Sequence, residues 1–186
     1  MAKRIVPGGV LGKFTVGREN FILRYGRTSD VKLLLEYINS FVPEKAFLSI
    51  QKKITLGEEK AFVSKMIKDM KESKRVYIVA EAGGRIIASA SVVREEGHAI
   101  SHVGTFGIAV AKKYRGMGIG RKIAEAVLSE AKKKMGIEIA KMSVVAVNAP
   151  AIKLYERLGF RKFGSLPGGY KHFGKKLDFD YMYKKL

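Results

Sequence analysis

The sequence predicts a mixed α/β domain, and three observations carry that expectation. Short β-branched runs alternate with longer stretches whose apolar residues recur at helical spacing. A Gly-Gly pair separates two of the runs, as in a tight hairpin. The two patterns interleave in the order strand, two helices, three strands, helix, strand, helix, two strands.

Residues 1–20 are Gly-rich and weakly patterned and are read as an N-terminal extension, an arm or a hairpin, ahead of one domain over 21–186. "FILRYGR" (21–27) is the first strand. "TSDVKLLLEYINSF" opens on the capping types Thr28, Ser29 and Asp30 and places Val31, Leu34, Leu35 and Ile38 on one face. "LGEEKAFVSKMIKDMKES" spaces Phe62, Met66, Ile67 and Met70 as a second helix. Glu58 and Glu59 lie in its first turn, where the dipole favours them. "RVYIVAEAGGRIIASASVV" reads as two strands joined at Gly83-Gly84, and "AISHVGTFGIAV" as a third. Gly104 and Gly107 in that third strand suggest a bulge or a close approach. The run 76–110 is expected to be antiparallel, with its last strand parting from the next one in sequence.

Further on, Ile119, Ile123, Val127 and Ala131 form an apolar stripe with Ala124, Leu128 and Met135. "AKMSVVAV" (140–147) reads as a buried strand. "NAPAIKLYERLG" reads as a helix capped by Asn148 and stopped by Gly159. "FRKFG" and "LDFDYMYKKL" are the closing strands.

Composition bounds the function. A chain of 186 residues with 47% apolar content suits one domain with a real core. It has no cysteine, which excludes a disulfide framework, a thiolate metal site and a cysteine nucleophile. No metal is expected. No apolar run approaches the roughly 18 residues of a membrane span, and the start lacks a signal-peptide core, so a cytoplasmic protein without a membrane partner is the expectation. Lys plus Arg number 36 against 17 acids, a formal charge of +19. Such a field favours anionic partners: nucleic acid, acidic protein, a membrane surface or a phosphorylated cofactor.

"AVAKKYRGMGIGRKIAEAV" (109–127) concentrates the chemistry. Gly116, Gly118 and Gly120 alternate between a strand and a helix start. Glycines let a ligand approach the main chain closely, and the helix adds unsatisfied N–H groups and the positive end of its dipole. Arg115, Arg121 and Lys122 add full charges, so the loop reads as a pyrophosphate site. It is not a P-loop, because Arg121-Lys122-Ile123 follows Gly120 where Lys-Ser/Thr is required. It also misses the Gly-x-Gly-x-x-Gly spacing of dinucleotide-binding turns.

Together with "NAPAIKLYERLGF", the loop resembles the GNAT superfamily of acetyl-CoA-dependent N-acyltransferases. Arg115, Gly118 and Gly120 match its Gln/Arg-x-x-Gly-x-Gly/Ala motif. Asn148, Tyr155, Gly159 and Phe160 match its second signature. The tail "GYKHFGKKLDFDYMYKKL" resembles the end of many N-acetyltransferases. The resemblance covers residues 21–186 in element order and is specific over about 105–160. It implies a twisted, mostly antiparallel central sheet with one splayed parallel pair, flanked by about four helices.

It also implies roles. Ile108, Ala109 and Val110 would bond the pantetheine arm of acetyl-CoA. The main chain of Gly116, Met117, Gly118, Ile119, Gly120 and Arg121 would take its diphosphate, and Asn148 would hold the arm. Tyr155, two helical turns after Asn148 and about 10 Å away, would protonate the departing thiolate. The implied enzyme is an N-acetyltransferase acting on a primary amine, of a small molecule or of a protein or peptide, by direct attack in a ternary complex.

Attack by a neutral amine requires a proton acceptor. Many relatives carry a Glu where this sequence has Thr105, and a threonine is no base near neutral pH. Glu95, Glu96, His98, His102, Glu58 and Glu59 are the remaining candidates. Glu44, Glu58 and Glu59 could form an acidic pocket for a cationic acceptor. Two other readings stay open. One is a CoA-binding sensor without catalysis. The other is a basic nucleic-acid-binding protein, although no recognition motif accompanies the charge.

Overall fold

The computed structural model describes residues 4–186. Its centre is an eight-stranded sheet in the order β1-β2-β3-β4-β5-β6-β8-β7. β1 (Val10–Val16) and β2 (Glu19–Tyr25) form an antiparallel hairpin at one edge. The Gly-rich start is thus the hairpin alternative, and a division at residue 20 falls inside that hairpin. β3 (Arg75–Ala82), β4 (Arg85–Arg94) and β5 (Val103–Val110) continue antiparallel. β6 (Ile139–Val145) is the one strand parallel to its neighbour β5. β8 (Lys175–Lys185) and β7 (Arg161–His172) close the far edge.

α1 (Val31–Asn39) and α2 (Leu56–Lys71) cover one face of the sheet. α3 (Ile119–Met135) and α4 (Ala149–Arg157) cover the other. Ile119, Ile123, Ala124, Val127 and Ala131 of α3 are fully buried against Ile78, Ala80, Ala88 and Val92 of the sheet, as the predicted stripe requires. The α2 stripe differs by one position: Val63 is buried and Phe62 is exposed. Thr55 caps α2 in a box with Glu58, which accounts for that glutamate as a helix-start residue.

Asp30 does not cap α1 with its side chain. It accepts from both terminal nitrogens of Arg24, at 2.7 and 2.9 Å, and Arg24 also bonds Glu81 at 2.9 Å. This buried cluster ties the first turn before α1 to β2 and β3.

The closing strands are longer than "FRKFG" suggested. β7 carries a register shift between Leu166 and Tyr170, around Pro167-Gly168-Gly169, and resumes beyond it. The tip of the β7–β8 hairpin then reaches the α1–α2 connection. Tyr170 donates to the Leu48 carbonyl at 2.6 Å, Gln51 donates to that of Lys171 at 2.6 Å, and the Phe173 amide donates to Gln51 at 2.9 Å. The result is a roof over the α1/α2 face of the central strands.

Candidate active site

β5 and β6 pair only through Val103, Gly104 and Thr105 with Ile139, Ala140 and Lys141. Beyond Thr105 the two strands part, as expected, and the apex of the V is the Thr105–Lys141 pair. The two glycines of β5 act differently. A Cβ on Gly104 would lie 2.6 Å from Val92 Cγ1, so this is a close approach of strand to strand. Gly107 meets nothing within 4 Å and leaves open space above β5.

Past the open end of the V, β5 runs into the glycine loop. Gly116 and Gly118 have φ of +76° and +77°, the left-handed region that glycine adopts without strain. Gly118 is the N-cap of α3 and supplies no side chain to the helix start, and no acidic residue lies in the first turn. Among the described residues, no protein acceptor takes the N–H groups of Gly116, Met117, Gly118, Ile119, Gly120 or Arg121. A run of free amides at a positive helix terminus is an anion site. Gly120 is present for packing: its Cβ would crowd Leu154 at 3.3 Å and Val110 at 3.5 Å.

The structure places other predicted residues less simply. Arg115 donates to the Val110 carbonyl at 2.8 Å and pairs with Glu44, so it braces the loop as well as charging it. The carbonyls of Ala109 and Val110 each already accept a side-chain bond, from Tyr37 at 2.7 Å and from Arg115. Arg121 pairs with Glu125 at 2.8 Å on the exposed helix face. Ile119 is core, and only its backbone faces the loop.

Asn148 begins α4, yet its side chain makes no capping bond. The amide group is left for something other than the helix. Tyr155 is buried, with its ring edge-on to Phe106 of β5 and 6.2 Å from it, just past the apex. Burial pushes the phenol up to about 12, so it stays protonated through the neutral range.

Sequence reasoning left the proton acceptor open, and the register brings one of its candidates to the apex. Thr105 donates from its hydroxyl to Glu95 at 2.5 Å, and Lys141 reaches the other carboxylate oxygen at 3.0 Å. Those two residues are the apex pair. A glutamate from the end of β4 therefore occupies the place where Thr105 withholds a carboxylate. Hydrogen bonds from Thr105 and Lys141 hold Glu95 below the ordinary carboxylate range, and it is ionised at neutral pH. His98 lies exposed in the short turn before β5, and Glu58 is engaged with Thr55.

On the α1/α2 face, Ser91 of β4 lies opposite Gly107 of β5. A cleft of about 180 Å³ stands over them, walled by Ile38, Leu48, Ile50 and Tyr77 and floored by Ser89, Ser91 and Gly107.

Residues 45–160 match the family model described as Acetyltransferase (GNAT) family. This chain belongs to that family. An N-alpha-acetyltransferase of Sulfurisphaera tokodaii is 27% identical over 110 residues, covering 52% of this chain and 62% of the relative. The chain thus spans less than two thirds of that relative's length. A ribosomal-protein-alanine N-acetyltransferase from Brucella melitensis has the same fold, with a TM-score of 0.79 at 25% identity over 88% of this chain and 99% of that one. A Salmonella typhimurium protein solved with its cofactor acetyl-CoA aligns with a TM-score of 0.77 at 21% identity, over 89% and 94% of the two chains, a likeness of fold. The splayed pair and the glycine loop are therefore parts of a GNAT fold. Among the described residues no helix is long and apolar enough to cross a membrane.

Proposed function

We propose that this GNAT-family chain transfers the acetyl group of acetyl-CoA to a primary amine, by direct attack with both substrates bound. The observation that carries the reading is the splay of β5 from β6 leading into a loop whose amides, from Gly116 to Arg121, are free. These amides suit the diphosphate, while the parted edges of β5 and the side chain of Asn148 suit the pantetheine arm. An arm entering past Val110 and running along the V brings its thioester toward the apex.

The residues at the apex divide the proton work. The amine nitrogen bonds to the carbonyl carbon, and the carbon–sulfur bond breaks. Glu95 accepts the proton that the nitrogen loses. Tyr155, whose hydroxyl is neutral and takes no partner among the described residues, donates to the departing sulfur. The products are the amide and the free thiol. The sensor alternative drew its support from Thr105, and the Glu95 carboxylate bonded to Thr105 favours the catalytic reading over it. The chain's charge is compatible with nucleic acid, but nothing in the site favours it.

The test is thiol release from acetyl-CoA across a panel of small amines, lysine-containing peptides and peptides with free N-termini. Release above the hydrolytic background with at least one class, lost in Gly118→Val, is expected. CoA binding without release for any class would make the chain a sensor. Absence of CoA binding would overturn the reading altogether.

A further inference from the structure

Glu59 of α2 is 5% exposed. It lies at the wall of a second cleft, of about 110 Å³, whose other sides are Leu34, Tyr37, Ile38, Ile50, Phe62 and Tyr77. Apart from the two tyrosine hydroxyls these walls are apolar. The two clefts share Ile38, Ile50 and Tyr77 and therefore adjoin. Burial alone, with no hydrogen bond and no charged neighbour contributing, pushes the Glu59 carboxyl above its ordinary range. Arg75, which approaches the Phe62 ring at 5.7 Å, is paired with Asp69 at 3.3 Å.

An unpaired buried carboxylate loses much of its hydration without a partner to replace it. In a chain with 36 Lys and Arg, a cationic partner was readily available, and among the described residues none pairs with Glu59. A largely buried carboxylate that takes no hydrogen bond among the described residues, at the wall of an apolar cleft, suits a cation on an alkyl stem. The aromatic walls Phe62 and Tyr77 add to that preference.

The register shows how the two clefts lie side by side. Tyr77 of β3 lies opposite Ser91 of β4, and Ser91 lies opposite Gly107 of β5. Two strand spacings of about 4.8 Å separate the Tyr77 end from Gly107, about 10 Å in all. The geometry points to Glu59 as the anchor for a second ammonium group on the acceptor, so that the preferred acceptors are aliphatic diamines. This inference rests on the acetyl-transfer reading for the identity of the reacting end, and on the cleft alone for the cation. The net charge of +19 opposes a diamine at long range, and Glu59 supplies a local exception.

The experiment is calorimetric titration of the CoA-saturated protein with hexane-1,6-diamine, hexylamine and 6-aminohexanoate. These share a stem and differ in the charge of the far end. The diamine is expected to bind at least about tenfold more tightly than hexylamine, the worth of one charge-assisted hydrogen bond, and 6-aminohexanoate more weakly than both. In Glu59→Gln the first two should become equal within a few-fold, while Glu58→Gln keeps the preference. Equal affinities in the wild type, or a preference that survives Glu59→Gln, overturn the inference. Thiol release is measured separately. A charge preference in binding without any release would leave Glu59 as a cation site and sink acetyl transfer instead.

Discussion

Replacing Gly118 with valine separates the strain of the loop from its use. Gly118 has φ +77°, and a Cβ there meets nothing within 4 Å. A Cβ at this position therefore meets no clash, and forcing an L-residue into left-handed backbone costs about 1–2 kcal/mol. For a chain of this size that is a fall in Tm of about 2–8 °C. If the backbone relaxes instead, the amides of Gly118 and Ile119 turn away from the point on which the loop converges. Each amide bonded to a phosphate is worth about 1.5–3 kcal/mol, so CoA affinity should drop roughly tenfold to a hundredfold or more. Gly136, at the other end of α3, is the control. Its φ is +66° and its Cβ direction is equally open, but it lies outside the loop. Gly136→Val should lose a similar amount of Tm and keep its CoA affinity. Calorimetry with CoA and thermal melts read both quantities. A folded Gly118→Val that binds CoA as the wild type does would refute the assignment of the loop.

Three further outcomes follow from the site. Tyr155→Phe keeps the packing on Phe106 and removes a hydroxyl that takes no partner among the described residues, so Tm should hold while kcat falls about 10²–10⁴-fold with CoA affinity unchanged. Glu95→Gln should lower kcat on the same scale, whereas Lys141→Met, which removes only a partner of that carboxylate, should retain most activity; equal losses would make Glu95 a structural residue. Glu59 has a folded pKa above its unfolded one, so it opposes folding as pH rises through the ordinary carboxylate range of about 4.3. Glu59→Gln should therefore raise Tm at pH 7 and leave it unchanged at pH 3, and a gain at both would mean that the change acts through packing.

The helices and central strands were legible because one residue type recurs at one spacing. The α3 stripe is an example, and every member of it is buried. β1 was not legible as part of the sheet. It is an edge strand whose residues are half-buried or exposed, so its alternation carries little hydrophobic contrast. β7 was read short because Pro167-Gly168-Gly169 interrupts its pattern, while pairing with β8 resumes past the interruption. The anion loop could be read because its glycines are local in sequence. Glu95 could not be singled out, because its role depends on the register that sets Thr105 beside Lys141, two strands whose pairing only the tertiary structure fixes. Glu59 was hidden for the opposite reason. As a glutamate in the first turn of a helix it already had a sufficient local explanation, and only its burial and lack of a partner distinguish it from Glu58.

The cationic residues around the loop help to decide which groups meet an anion there. Arg115 is paired with Glu44, Arg121 with Glu125, and Lys113 with Glu19, while Lys122 stands over the Phe14 ring at 5.2 Å. Exposed pairs of this kind are worth about 0–1 kcal/mol and exchange readily. A phosphate can therefore draw these side chains away, but they offer no fixed geometry. The free amides from Gly116 to Arg121 do, because Gly116, Gly118 and the buried start of α3 hold them in place. On the proposed reading the net charge would bring an anion near, and the main chain would orient it. The carboxylates act in the other direction, at short range and on the opposite side of the V. Glu95 sits at the apex between Thr105 and Lys141, and Glu59 lines a cleft that also has Tyr77 as a wall. An anionic donor and a cationic acceptor would then approach one point from two faces of a strongly basic chain, each drawn by charge of the opposite sign.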